Sequence, residues 1–539
     1  MKRPSVAAMA SVLVGLAGVL AVGGLLVAVG HARQSIQGDG RGVAAHNTGG
    51  SGGRPNIVLV MTDDQALSQM RPNVMPEVTR LLGDQGTTFK NAFLTTPLCC
   101  PSRATLLTGQ YGHNNGVLRN NYYTLIQKRN VLPVWLHRAG YVTAHVGKFL
   151  NRYHHNSRPG APAPGWDEWY TQLDTSQDAY YDWDLSVNGR RVHYGTDNSD
   201  YAPRVFSRYA ERVIRRHVPH RRPLYLELDE IAPHPGPGGA GTRCHGNPVP
   251  DPRDLDLFKE EPLPHPPSFN ESEVSDKPSF IRSLPSMDQA AINATTRRYR
   301  CGLASLRAVD RTMAALHDVI RRLGESRRTV FIFDTDNGVF FGQHRITGGK
   351  LYPYDEADRT PLLIRLPDRY RKGAPRVPGV DQPVANIDLA PTILRLAHAR
   401  PCGRRGRCRV LDGRSLLPLL RGKDPEWASD RPLGIELKRK TPNQKHDVCS
   451  YAAVRVPDVV FIRHTRIADR AAGRCTRDIE RERYALDVDP SQLDNLCFGG
   501  GRCPSDAVQR RLKRLLSKIH HCSGIRGRDP RPPSGKYCG

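Results

Sequence analysis

Three observations predict an α/β domain built on a mostly parallel sheet. Short, continuous apolar runs recur at Asn56-Ile57-Val58-Leu59-Val60-Met61, Leu224 to Leu228 and Thr329 to Phe333, as strands buried on both faces require. Between them lie helical patterns, Val205 to Val218 and a long one from Asp288 to Leu323 that stops at Gly324. At 539 residues the chain also has room for a second, smaller unit beside a large domain.

The elements follow in order. Lys2 and Arg3 precede an uncharged run of apolar and small residues from Val6 to Gly30, so residues 1–33 read as an export signal or an N-terminal membrane anchor. Either form places the bulk of the chain outside the cytoplasm. Residues 34–53 are Gly-rich and polar, a flexible linker without core-forming side chains. The α/β domain spans 54–425, with a Pro-rich surface loop around residues 233–285. Residues 426–539 read as an α+β subdomain with a basic tail. It holds β-like segments at Tyr451 to Val456 and Val459 to Ile462, a basic helix from Asp506 to His520, and a Pro/Gly-rich end.

Composition narrows the partners. With 79 Lys and Arg against 53 Asp and Glu, the chain carries a formal net charge of +26. That balance attracts polyanions: nucleic acid, anionic membranes or acidic polysaccharides. The sequence shows no zinc-finger spacing, leucine-zipper heptads or aromatic RNA-binding signature, which excludes nucleic acid as the expected partner. Of twelve cysteines, all but the Cys99-Cys100 pair lie downstream, and an even set in an exported chain reads as disulfides. The pairs Cys402/Cys408, Cys497/Cys503 and Cys522/Cys538 are spaced to close short loops, although spacing leaves the connectivity open. None of these downstream cysteines has CxxC spacing, which disfavours zinc.

Two of the strands end in acid. Met61 runs into Thr62-Asp63-Asp64-Gln65, and Phe333 into Asp334-Thr335-Asp336-Asn337-Gly338. In an open α/β sheet, ligands sit beyond the carboxyl ends of the strands. Carboxylates converging there repel one another unless a cation lies between them, and oxygen ligands suit a hard ion, Ca²⁺ or Mg²⁺. Taken alone, each segment reads better as a cap or turn, and only the pair suggests a site. The stretch from Leu98 to Gly109 (LCCPSRATLLTG) adds a helix that starts near Pro101 and stops at Gly109. Cys99 then lies just before a helix N-terminus, where backbone N–H groups favour anions. Arg103, one turn on, can aim a bidentate donor at the same anion. A Cys so placed is either a low-pKa thiolate nucleophile or a buried apolar residue.

The stretch Cys99 to Gly109 resembles the signature of type I sulfatases, whose Cys in Cys-x-Pro-Ser-Arg is oxidised to formylglycine. Other segments fall in the family's order. They are Gly140-Tyr141-Val142-Thr143 with Gly147-Lys148, Ala232-Pro233-His234, Asp336-Asn337-Gly338, Gly349-Lys350, and Tyr484 to Asp487 with Asn495-Leu496. The likeness runs from about Pro55 to about Leu496. Within the family, TDDQ, LTGQYGHNNGV, GKFLNRY and PYDEADRTPLLIR are most similar to N-acetylglucosamine-6-sulfatases and the extracellular heparan sulfate 6-sulfatases.

The resemblance implies an alkaline-phosphatase-like fold and a mechanism. Asp63, Asp64, Asp336 and Asn337 would hold one Ca²⁺ together with the hydrated formylglycine made from Cys99. Arg103, Lys148 and Lys350 would neutralise the sulfate oxygens, and Lys350 with His234 would assist the leaving alcohol. The implied substrate is a sulfated sugar or glycosaminoglycan, and maturation would need a formylglycine-generating enzyme. Three positions depart from the pattern. Leu150 stands where many sulfatases have His. Asn337 replaces a His usual in the subgroup. Glu230 puts a carboxylate near the pocket, which disfavours some anionic substrates. A phosphonate monoester or phosphodiester hydrolase of the same superfamily, and a catalytically inactive secreted polyanion-binding protein, are the rival expectations.

Overall fold

The computed structural model describes residues 53–539 except 154–159, 404–405, 424–426, 428–430, 439–447, 470–473, 498–501 and 531–534. The expected export segment and, but for Gly53, the Gly-rich linker lie outside the described residues. Among the described residues no helix is long and apolar enough to cross a membrane.

A ten-stranded sheet forms the frame. Its centre is five parallel strands in the spatial order Thr329–Thr335, Asn56–Thr62, Leu224–Asp229, Val142–Gly147 and Glu168–Gln172. Leu363–Arg365 joins one edge antiparallel, followed by Thr87–Phe89 and Gly379–Val380. Trp183–Val187 and Arg190–Tyr194 extend the other edge, also antiparallel. The three strands read from apolar runs are neighbours at the centre, buried along their whole length. They run one or two residues further than the apolar residues do, because pairing continues through Met61 with Asp229 and Asp334. Asp229 and Asp334 thereby enter the sheet, and Asp63, Glu230 and Asp336 directly follow it.

Alternation along the first strand divides the core. Val58 and Val60 face a layer formed by the helices Ala202–His217 and Gln289–Arg322. Ile57, Leu59 and Met61 face a second layer that includes the helices Cys99–Thr108 and Leu389–Leu396. The long helix keeps its expected limits: the Asp288 side chain accepts from Ala291 N at 2.8 Å, and Gly324 takes a positive φ of 74° past its end. Ala202–His217 begins three residues before the expected Val205, since Pro203 fits the first turn without losing a bond.

A four-stranded antiparallel sheet follows: Leu433–Leu437, Tyr451–Val456, Val459–Asp469 and Arg474–Ala485. The helix Ala507–Ile519, capped by Asp506, buries Leu512, Leu516 and Ile519 against Leu433, Val454 and Phe461. The fold is thus a large mixed, mostly parallel sheet flanked by helices, with a separate small antiparallel sheet C-terminal to it. Disulfides join Cys244–Cys301, Cys402–Cys408, Cys449–Cys475, Cys497–Cys503 and Cys522–Cys538. The three short-loop pairs suggested by spacing are among them. Cys99 and Cys100 are free and buried.

One ionic link ties the C-terminal helix to the segment after the Cys99 helix. His113 Nδ1 lies 2.8 Å from Glu436 Oε1, and His520 Nδ1 3.5 Å from Glu436 Oε2. Burial opposes both charges, but Glu436 pushes His113 up to about 9, and His113 holds Glu436 down to about 2. The folded His113 pKa exceeds the ordinary 6.5, so its contribution is complete below that value and is lost as pH rises through about 9. Glu436 contributes above its ordinary 4.5 and loses that only as pH falls toward about 2. His113→Gln is therefore expected to lower the thermal midpoint at pH 6, and the gap to the parent protein to close by about pH 10. A gap unchanged at the higher pH would contradict the assignment.

Candidate active site

The cluster lies beyond the carboxyl ends of the central strands. Asp63 and Asp64 follow the first strand, Lys148 follows Val142–Gly147, Asp229 ends its strand, and Asp336 and Asn337 follow Thr329–Thr335. The Cys99 helix enters from one layer with its N-terminus at this edge. It starts at Cys99 itself, two residues earlier than Pro101 suggested. Pro101 is tolerated there because the first intrahelical bond is Ser102 N to Leu98 O, so the missing N–H falls among donors without intrahelical partners. Gly109 ends the helix in a left-handed conformation, as expected.

Arg103 organises the centre. Its Nε donates to Asp336 Oδ2 at 2.9 Å, Nη1 to Asp229 Oδ2 and Lys148 O at 2.9 Å each, and Nη2 to Asp63 Oδ2 at 3.2 Å. Lys148 Nζ pairs with Asp63 and, at 2.7 Å, with Asp178 Oδ1. Gly147 makes that turn possible. At φ 104°, an added Cβ would stand 1.9 Å from Asp229 O, the atom that accepts from Lys148 N at 2.9 Å. Lys350 Nζ contacts Asp64 Oδ1 and lies 2.9 Å from Cys99 Sγ. Cys99 Sγ is 3.7 Å from Asp63 Oδ1, and His234 Nε2 3.6 Å from Asp64 Oδ2. Every catalytic and metal-binding candidate read from the sequence is therefore in this cluster.

Ligand atoms of Asp63, Asp64, Cys99 and His234 lie within 4.8 Å of one another. Asp336 stands slightly apart from that group, held by Arg103 and by the Asp64 amide, which donates to its Oδ1 at 3.3 Å. Asn337 Nδ2 donates to Asp64, while its buried Oδ1 has no hydrogen-bond partner among the described residues. Five carboxylates (Asp63, Asp64, Asp178, Asp229, Asp336) face three permanent cations (Arg103, Lys148, Lys350) here. Excess carboxylate charge, the oxygen donors of Asp63, Asp64 and Asp336 and the partnerless amide oxygen of Asn337 fit a hard divalent ion.

The electrostatics bear on the nucleophile. Burial would raise Asp63, but Lys148, His234, Lys350 and Arg103 hold it far below the ordinary carboxylate range. Burial, reinforced by Asp63, pushes the Cys99 thiol well above its ordinary value despite two nearby lysines. An unmodified Cys99 is thus a protonated thiol and not the low-pKa thiolate that the helix terminus alone suggests. Burial and Asp63 also push Asp336 up to about 6, against Arg103.

Several residues escaped the sequence reading. Asp229 follows the same rule as Asp63, an acid at the end of a central strand. His145 supports it from within the next strand, with Nε2 3.3 Å from Asp229 Oδ2 and Nδ1 2.7 Å from Thr171 Oγ1. Asp178 lies in a loop without any local signal. The departures also resolve. Leu150 is 1% exposed and belongs to the same apolar layer as the Cys99 helix, so no base acts from that position. Glu230 is fully buried, and burial and Asp229 push it up to about 8. That upward shift weakens the repulsion of anionic substrates expected from this position.

Fold and cluster together define an alkaline-phosphatase-like α/β protein with a buried carboxylate and cation cluster at the carboxyl edge of its sheet. The sulfatase family's sequence model matches residues 55–399, and the chain belongs to the sulfatase family. It is 32% identical over 404 residues to the extracellular sulfatase SULF-1 homolog of Drosophila melanogaster, covering 72% of this chain and 34% of that protein. The chain therefore spans about a third of that relative's length. Human N-acetylglucosamine-6-sulfatase is 28% identical, over 88% of this chain and 86% of its own. A solved protein in complex with its substrate D-glucosamine-2-N,6-O-disulfate shares the fold at a TM-score of 0.67 and 23% identity, covering 86% of this chain and 97% of that one. The phosphonate monoester hydrolase of Agrobacterium radiobacter shares it at 0.64 and 19%, covering 89% and 99%.

Proposed function

We propose that the chain is a secreted sulfatase that hydrolyses a sulfate ester of an amino sugar, within or at the end of a glycosaminoglycan. One observation carries the reading. Cys99 heads a buried helix at the carboxyl edge of the sheet, with Lys350 Nζ 2.9 Å away and Asp63 Oδ1 3.7 Å away. Conversion of Cys99 to formylglycine would replace that thiol by a hydrated aldehyde, supplying an oxygen nucleophile and a second hydroxyl whose deprotonation releases sulfate. A Ca²⁺ held by Asp63, Asp64, Asp336 and Asn337 would add positive charge beside the nucleophile.

The remaining roles belong to side chains in place. Arg103, locked by Asp63, Asp229 and Asp336, keeps a fixed cation under the N-terminus of the helix. Lys148 and Lys350 stay protonated, since their carboxylate partners outweigh burial, and they counter charge on the sulfate oxygens. Lys350 and the part-exposed His234 are placed to give a proton to the departing sugar oxygen. The sulfated amino-sugar assignment is supported by the subgroup motifs and by the relatives named above. Five disulfides fit an oxidising, extracytoplasmic compartment.

The test is a substrate panel on protein matured with a formylglycine-generating enzyme. Glucosamine 6-sulfate is expected to be hydrolysed, with kcat/KM at least about tenfold above galactose 6-sulfate. An aryl phosphonate monoester turned over faster than the matched aryl sulfate would favour the phosphonate hydrolase reading instead. No turnover of any ester by protein carrying the aldehyde would leave a polyanion-binding protein.

A further inference from the structure

The geometry points to a second binding surface: the cleft between the α/β domain and the C-terminal sheet takes an extended sulfated glycan beyond the sugar unit whose ester is broken. The sulfatase reading supplies only the choice of polyanion. The cleft itself stands on its own observations.

It measures about 1460 Å³, beyond the roughly 300–1,000 Å³ of a pocket for one small ligand. It begins at Leu98, the residue before Cys99, and runs past the loops that follow Lys148 and precede Asp178 to the C-terminal helix. Arg119 and Arg152 line one wall; Lys438, Arg463, Arg481 and Lys513 line the other. Two acids, Glu436 and Asp174, stand against these six cations, and Glu436 is engaged by His113 and His520. Arg119, Arg152, Lys438, Arg463 and Lys513 form no ion pair with a described residue.

Arg463 and Arg481 stand directly opposite each other on neighbouring antiparallel strands, which gathers positive charge on that wall of the cleft. Cations spaced along the cleft suit a chain that carries a sulfate or carboxylate on successive sugars.

A comparison of two charge-matched triple variants tests the inference. One is Lys438→Gln/Arg463→Gln/Lys513→Gln in the cleft. The other is Arg208→Gln/Arg212→Gln/Arg215→Gln on the exposed basic face of the helix Ala202–His217. Binding of a heparin octasaccharide and a heparin disaccharide is measured by calorimetry on a Cys99→Ala background, at fixed calcium and salt, after circular dichroism confirms folding. The cleft triple is expected to weaken octasaccharide binding by about tenfold or more, because each cation near an anionic polymer contributes several-fold. The helix triple should change it less than about twofold, and neither triple should alter disaccharide binding as much. With Cys99 restored, the cleft triple should turn over a small aryl sulfate at the parent rate. Equal losses from both triples, or losses independent of oligosaccharide length, would overturn the cleft. Octasaccharide binding lost only in the cleft triple, by a protein inactive on every sulfate ester, would keep the cleft and sink the sulfatase reading.

Discussion

Cys99→Ala is expected to abolish sulfate ester hydrolysis, by about 10⁴-fold or more, while leaving the thermal midpoint within a few degrees of the parent. The fold tolerates the change because Cys99 contributes one small side chain at a helix start, and alanine is a good helix former. Its chemistry has no substitute. Cys100, the adjacent thiol, is buried, raised to about 12 chiefly by burial, and accounted for in the apolar layer. Peptide mass spectrometry of the parent protein should find the aldehyde at Cys99 and an unmodified thiol at Cys100. Cys99→Ser should behave as the alanine variant does, since a single hydroxyl lacks the second oxygen that releases sulfate. Full activity in protein whose Cys99 is an unmodified thiol would refute the mechanism.

Removal of one carboxylate from the cluster should cost nearly as much. Asp63→Ala is expected to lower kcat by about 10³-fold or more, and exhaustive chelation of the parent protein to do the same until calcium is returned. Asp63 is the carboxylate shared by Arg103, Lys148 and the Cys99 thiol, so alanine there takes one partner from each of two buried cations and leaves Arg103 to Asp229 and Asp336 and Lys148 to Asp178. Asp63→Asn separates the two effects. It keeps the shape and one oxygen donor but removes the charge, so calcium affinity should fall while the fold persists. Metal analysis by mass spectrometry checks both. Chelated protein that keeps its activity with metal shown to be absent would reject the divalent ion.

The sheet's centre was legible because strands buried on both faces leave continuous apolar runs, and three of the five parallel strands did so. Val142–Gly147 was recognised only as a motif: Thr143 and His145 interrupt its apolar run, their hydrogen bonds satisfied inside the fold. The site was legible in its local pieces, since Asp63-Asp64 and Asp336-Asn337 directly follow strands and Cys99 and Arg103 share one helix turn. What sequence spacing could not supply is convergence across distance. Asp178 meets Lys148, and Asp229 meets Arg103, through strand order alone. Glu230 shows the opposite failure. A charged residue type near the pocket suggested a repulsive anion, whereas complete burial pushes its carboxyl up to about 8.

The packing of Cys99 sets an order of events in the life of the chain. At 2% exposure, beneath Lys350 and beside Asp63, its sulfur offers no approach to another enzyme once the core has closed. The conversion proposed for Cys99 would therefore have to precede collapse of the layer that holds Ala104, Leu106 and Leu107. A molecule that folded first would keep a thiol out of reach, and the aldehyde content of a preparation would be set by the relative speeds of modification and folding during synthesis.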